Sequence, residues 1–178
     1  MNPINNKIPD IIIVDNHLIF RQGLKAILNF EEIGSVIGEA SDGEEFIELL
    51  STLNPDLVLM DIDMLQINDF NTTIKALQIQ PKLNIIVFTV FSDEDYYNKI
   101  MAIGAKGLIL KSCGFSELES AINTVMKGEN YFFDLIENKN DQKTSLDDKP
   151  LINTTEKMLF FSWFFHLKAC IKYKLIDS

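Results

Sequence analysis

Residues 54–64 read NPDLVLMDIDM. Asn54-Pro55 is a breaker pair, because the residue before a proline is pushed out of the helical region. Leu57-Val58-Leu59-Met60 follows as a short, uninterrupted apolar run. A run of that length behind a breaker reads as a strand buried on both faces, the signature of a parallel sheet covered by helices. Asp61 ends the run. It falls where the strand would emerge at its carboxyl end, and open α/β sheets bind their ligands there.

Four more runs share this character on either side: Ile11-Ile12-Ile13-Val14, Val36-Ile37, Ile85-Ile86-Val87-Phe88 and Leu108-Ile109-Leu110. Between and after them the apolar spacing turns helical. Phe20, Leu24, Ile27 and Leu28 form one face, and Phe46, Leu49, Leu50 and Leu53 a second. Phe70, Ile74 and Leu77 form a shorter third, Tyr96, Ile100 and Ile103 a fourth, and Leu118, Ala121, Ile122 and Val125 a fifth. Five strand–helix units in strict alternation predict an α/β fold with a doubly wound, five-stranded parallel sheet. The punctuation agrees: Asp42-Gly43 enters the second helix, Pro81 precedes the fourth strand, and Gly104 and Gly107 bracket the turn into the fifth.

The chain has 178 residues, enough for one domain and an appendage. At 47% hydrophobic and 24% charged residues, it is neither a disordered chain nor a typical membrane protein. Met1 to Asp10 contains no apolar h-region, so a cytoplasmic location is expected. The net charge of −10 is uneven: residues 1–137 carry 9 Lys and Arg against 21 Asp and Glu, residues 138–178 carry 7 against 5. A body this acidic repels a phosphate backbone, and the tail is a weak basis for nucleic-acid contact. Cys113 and Cys170 share no metal-ligand spacing with each other or with His17 and His166, and read as idle thiols.

The residues at the strand ends carry the chemistry. Strand one ends in Asp15-Asn16, strand three in Asp61, strand four in Thr89 and strand five in Lys111. In the order 2-1-3-4-5, these four strands are neighbours and their polar ends converge on one crevice. Clustered carboxylates resist shared ionisation unless a cation sits among them, and Mg²⁺ is a hard ion suited to oxygen ligands. With charge neutralised, Asp61 can attack a phosphoryl group and form an acyl phosphate. The metal, the Thr89 hydroxyl and the Lys111 ammonium can hold the phosphoryl oxygens. Taken singly, each residue has a plainer reading. An Asp after a strand is commonly a turn or cap residue, Thr89 could satisfy backbone, and Lys111 could be solvated. His17 reads as a helix-start residue rather than a ligand.

The stretches IIIVDNHLIFRQGLKAIL, GEASDGEEFIELL, NPDLVLMDIDM, IIVFTVFSDEDYY, GAKGLILK and ELESAINTVMKGENYF, in this order and spacing, resemble the receiver domain of two-component response regulators. The likeness is to the NarL/FixJ subfamily, in which a receiver precedes a LuxR-type helix-turn-helix. It implies a flavodoxin-like sheet and a receiver over residues 8–133. It implies that Asp61 is the phosphoacceptor for a sensor histidine kinase in a Mg²⁺-dependent phosphorelay linked to transcription. Asp15, Asn16, Asp61 and the backbone carbonyl of Asp63 would hold the metal. Thr89 and Lys111 would contact the phosphoryl group and couple it to a switch. Such a chain is no turnover enzyme; its chemistry is at most self-phosphorylation and self-dephosphorylation.

Four positions depart from the family pattern. Asn16 replaces the second acid of the acidic pair, which removes a full charge from the metal site. Leu65 stands where a proline usually follows the methionine, and Asp69 where a glycine usually ends the loop. Leu108 occupies the position that often carries an aromatic switch residue.

Residues 134–150 are polar and read as a linker. Residues 151–178 form a short aromatic segment. Its Ile152-Asn153-Thr154-Thr155-Glu156-Lys157 resembles the entry to a LuxR-type domain, with capping-box spacing from Asn153 to Glu156. MLFFSWFFHL then breaks the pattern, and nothing like a recognition helix follows, so DNA binding has no visible carrier. The tail is expected to be a short helix and a remnant of an output domain. It could pack on the receiver or in a homodimer, lie on a membrane surface with Lys168, Lys172 and Lys174 as its basic side, or never pack. It is too short to span a bilayer.

Two other functions stay open at this stage. One is a pseudo-receiver, an interaction module that is never phosphorylated, motivated by Asn16 and Leu108. The other is an aspartate-nucleophile phosphatase, since Asp61-Ile62-Asp63 has its DxD form. In such enzymes the motif follows the first strand, and a Thr or Val stands where this chain has Leu65.

Overall fold

A computed structural model describes residues 7–61, 70–90 and 94–132. These lie in the first of two units into which the chain divides, 1–135; the second, 136–178, falls outside the described residues. Asp63, Leu65, Asp69, the linker and the aromatic tail with its expected helix also lie outside them.

The elements alternate as the apolar runs require. They are β1 (Asp10–Val14), α1 (Leu18–Phe30), β2 (Ser35–Ala40), α2 (Gly43–Leu50), β3 (Leu57–Asp61) and α3 (Phe70–Ile79). Then come β4 (Asn84–Thr89), α4 (Glu94–Ala102), β5 (Gly107–Leu110), α5 (Phe115–Met126) and β6 (Tyr131–Phe132). All strand pairings are parallel, in the order β2-β1-β3-β4-β5-β6. The flavodoxin-like order is as expected, with one addition. Two residues of β6 extend the sheet beyond β5, Gly107 opposite Tyr131 and Leu108 opposite Phe132. Gly107 permits that approach: a Cβ there would come 2.9 Å from Ile86 Cγ1 and 3.2 Å from the Tyr131 carbonyl oxygen.

Successive strand residues point to opposite faces, and both faces are dry. Ile12, Val14, Val58, Met60, Ile85, Val87 and Leu108 join Phe46 and Leu50 of α2, Ala76 of α3 and Ile100 of α4 in one cluster. Ile11, Ile13, Leu57, Leu59, Ile86, Phe88 and Ile109 alternate with them and are equally buried, as are Phe20, Leu24, Ile27 and Leu28 of α1 and Leu118, Ala121, Ile122 and Val125 of α5. Two dry faces explain why the strands lack the polar alternation of a half-wet sheet. Removing one large side chain from such a core, Phe46 for example, typically costs about 3–5 kcal/mol.

Helix entry is locally encoded at α2. Asp42 is its N-cap, and its side chain accepts hydrogen bonds from the backbone N–H groups of Glu44 (3.0 Å) and Glu45 (2.9 Å). At α3 the expected face needs correction. Ile74 is 40% exposed, and the buried positions are Thr73 and Ala76. Small residues let α3 approach α2 and the sheet closely. Thr73 Oγ1 lies 3.5 Å from Met60 Sδ, and a Cβ on Gly43 would meet Thr72 Oγ1.

Among the described residues, no helix is long and apolar enough to cross a membrane.

Candidate functional site

The parallel order brings the carboxyl ends of β1, β3, β4 and β5 side by side. Asp15 follows β1 and Asp61 ends β3; each is 1% exposed. Thr89 ends β4 and is fully buried, one register step beyond Phe88, the partner of Asp61. Lys111 follows β5, and its backbone N–H donates to the Thr89 carbonyl oxygen at 2.8 Å.

Lys111 joins the carboxylates. Its Nζ lies 2.6 Å from Asp61 Oδ2 and 3.1 Å from Asp15 Oδ2. The same ammonium sits 5.0 Å from the centroid of the Phe20 ring, which packs edge-on against Phe88. The Phe20 ring thus offers the ammonium a cation–π contact beside the carboxylates. Among the described residues, one ammonium faces these two buried carboxylates. Clustered carboxylates of this kind are the donor chemistry that hard divalent cations take.

The β1–α1 turn is fixed from several sides. The Asp15 N–H donates to the Ala40 carbonyl oxygen at 3.0 Å, and Asp15 Oδ1 accepts the His17 N–H at 2.6 Å. The Arg21 guanidinium donates to the Asp15 carbonyl oxygen. Arg21 Nε also pairs with Glu39 at 3.2 Å, and Lys25 pairs with the same carboxylate at 2.7 Å. Lys25 first, then Arg21, holds the Glu39 carboxyl below its ordinary range. This strut tethers the turn carrying Asp15 to β2.

Sequence reasoning set His17 aside, and the structure brings it in. Its side chain makes no cap bond to α1. Instead Nδ1 lies 3.1 Å from Asp15 Oδ1 and 3.6 Å from Asp61 Oδ2. Among the described residues, Asp15, His17 and Asp61 offer donor atoms within 4.8 Å of one another. Asn16 is exposed. Leu108 lies in the core beneath, 1% exposed. Cys113 stands apart from this constellation; burial pushes its thiol up to about 12, which keeps it protonated.

The geometry agrees with what comparison with known proteins finds. The model of the response regulator receiver domain matches residues 11–123. The chain belongs to that family. Its receiver is similar to the transcriptional regulatory protein DegU of Brevibacillus brevis, 36% identical over 126 residues, covering 71% of this chain and 53% of that one. It is also similar to the response regulator GacA of Pseudomonas aeruginosa, 35% identical over 121 residues, covering 68% and 56%. Among solved structures, a LuxR-family two-component response regulator from Aurantimonas sp. SI85-9A1 matches with TM-score 0.66 and 27% identity, over 70% of this chain and 89% of that one. The non-phosphorylated receiver domain of RcsB from Escherichia coli matches with TM-score 0.63 and 26% identity, over 70% and 98%. These relatives make it a receiver of the NarL/FixJ type. The chain spans about half the length of the curated relatives it matches.

Proposed function

We propose that residues 8–133 form a phosphorylatable receiver in which Asp61 accepts a phosphoryl group from a sensor histidine kinase. The observation that carries this reading is a buried Asp61 carboxylate 2.6 Å from the Lys111 ammonium, with Asp15 on the same ammonium. An oxygen of Asp61 forms the new bond to phosphorus as the phosphorus–nitrogen bond of the donor phosphohistidine breaks. The released imidazole takes a proton from solvent.

Lys111 keeps the acceptor oxygen oriented and offers positive charge to the incoming phosphoryl oxygens. The Thr89 hydroxyl holds another of those oxygens. Two buried carboxylates facing one ammonium suit a hard divalent cation such as Mg²⁺. Asp15, Asp61, the Asn16 amide oxygen and the Asp63 backbone carbonyl would hold it. When bound, that ion supplies the charge neutralisation that lets a carboxylate approach an anionic phosphoryl group. The Asp61 chemistry is one phosphorylation and its reversal, with no substrate turned over. By likeness to relatives named as transcriptional regulators, the receiver serves control of transcription from the cytoplasm. Residues 134–150 serve as its linker and 151–178 as a short tail.

A second reading, the pseudo-receiver, draws on Lys111 bridging both carboxylates and on Asn16 in place of an acid. One experiment separates them. Incubated with Mg²⁺ and acetyl phosphate, the parent gains one acid-labile phosphoryl group by intact mass and the Asp61→Asn variant gains none. An unmodified parent supports the pseudo-receiver; a modified Asp61→Asn variant removes Asp61 from its role.

A further inference from the structure

The His17 imidazole lies against both buried carboxylates, and it is not spent on capping α1. A carboxylate only accepts, so in this arrangement the proton of the neutral ring sits on Nδ1. Two donors bound at about 2.1 Å to one ion stand about 3.0 Å apart at a right angle and about 3.4 Å at a tetrahedral angle. The His17 Nδ1 separation to Asp15 Oδ1, 3.1 Å, falls inside that range, and the one to Asp61 Oδ2, 3.6 Å, lies just beyond it.

We propose that His17 is a nitrogen ligand of the cation site in this pocket and tunes it toward borderline first-row ions such as Co²⁺, Ni²⁺ and Zn²⁺. Three observations carry this. The ring nitrogen, Asp15 and Asp61 form a ready three-donor group. The backbone N–H of His17 holds Asp15 Oδ1 at 2.6 Å, so the carboxylate and the ring are fixed together by one turn. Asn16, the remaining side chain of that turn, brings no charge. With one carboxylate fewer, the hard-oxygen character of the donor set falls, and an imidazole nitrogen adds softer character. An ion in the gap takes the place of the Nδ1 proton, and the neutral ring carries its single proton on Nε2 instead. Asp15, His17 and Asp61 would hold such an ion beside the Lys111 ammonium, which contacts Asp61 Oδ2 and Asp15 Oδ2. The His17 side chain is 63% exposed, so it stands on the solvent side of the two carboxylates, where an arriving ion meets it first.

This inference rests on the receiver reading only for the place of the pocket, and its test involves no phosphate. Tag-free full-length chain is titrated with Mg²⁺ alone and Co²⁺ alone by calorimetry, and the visible spectrum of bound Co²⁺ is recorded. Loss of partners outside the ligand shell already costs a metal site about 10–100-fold, so loss of a direct ligand costs at least about 10-fold. His17→Ala should therefore weaken Co²⁺ at least about tenfold and leave Mg²⁺ within about threefold. His17→Gln, whose amide can still hydrogen-bond Asp15 but has no ring nitrogen, should behave like His17→Ala. The parent's Co²⁺ absorption should change shape in both variants and not in His166→Ala, which covers the only other histidine. An unchanged Co²⁺-to-Mg²⁺ preference in both variants overturns the proposal, because His17 then only hydrogen-bonds Asp15. An equal loss for both ions also overturns it, because His17 then acts by holding the carboxylate. If acetyl phosphate fails to modify Asp61 while the selective Co²⁺ loss stands, the phosphorylation reading falls and the metal assignment survives.

Discussion

The two ends of the same sheet carry two acidic clusters built on opposite terms. At the amino end, Asp56 Oδ2 accepts from the Asp10 N–H and from Lys7 Nζ, each at 2.9 Å, while its backbone carbonyl accepts from Asn84 Nδ2 at 3.0 Å. The side chain is about a third exposed, and carboxylate and backbone carbonyl together tie the residue before β3 to the starts of β1 and β4. At the carboxyl end, Asp15 and Asp61 are buried and share the Lys111 ammonium. The first cluster also sets one ammonium against two carboxylates, since Lys7 Nζ lies 3.5 Å from Asp10 Oδ2, but it is wet, and water screens its charges. The second has the same two carboxylates on one ammonium but is dry, and burying charge costs stability. Burial, rather than the number of acids or their charge ratio, therefore separates the candidate site from the structural cluster.

The comparison breaks most sharply at Lys111. Lys111→Met leaves two buried carboxylates without their cation, and removing one partner of a buried charge pair costs about 3–5 kcal/mol. Urea unfolding should show that loss, and the Lys111→Met/Asp61→Asn double variant should recover a large part of it. Full additivity of the two substitutions would show that the ammonium is not balancing Asp61. At the opposite end, Asp56→Asn keeps an acceptor oxygen and removes one of the two carboxylate charges that face Lys7. Its cost should stay below about 1 kcal/mol, as for surface pairs, with phosphorylation of Asp61 unchanged. Smallest is the acid limb of stability. The Asp10 N–H first, then Lys7, holds the Asp56 carboxyl below its ordinary range, and Lys25 and Arg21 do the same for Glu39. A depressed folded-state value contributes stability that is complete above the unfolded value, near about pH 4, and drains as pH falls through the folded one. Glu117, raised by burial, works in the opposite sense, its contribution fading as pH rises. Urea midpoints should therefore fall below about pH 4, and Asp56→Asn should flatten that fall.

Most of the candidate site was legible in the sequence. Apolar runs fix the strands, parallel order fixes which strand ends are neighbours, and Asp15, Asp61, Thr89 and Lys111 then have to lie at adjacent strand ends. What escaped depends on local geometry that periodicity does not encode. His17 stands at a helix start, and only the path of the β1–α1 turn decides that its ring faces the carboxylates. The strand β6 is two residues long, too short to show a period. On α3 the apolar pattern favoured Ile74, but close packing on α2 selects the smaller Thr73 and Ala76.

The central claim is that buried Asp61, and no other carboxylate, accepts the phosphoryl group. An acyl phosphate is reduced by borohydride to the alcohol, which turns the phosphorylated aspartate into homoserine. Phosphorylated chain treated in this way and mapped by peptide mass spectrometry should carry homoserine at position 61 alone. Homoserine at position 15 or 56, or none at all from a chain that has gained phosphate, would contradict it.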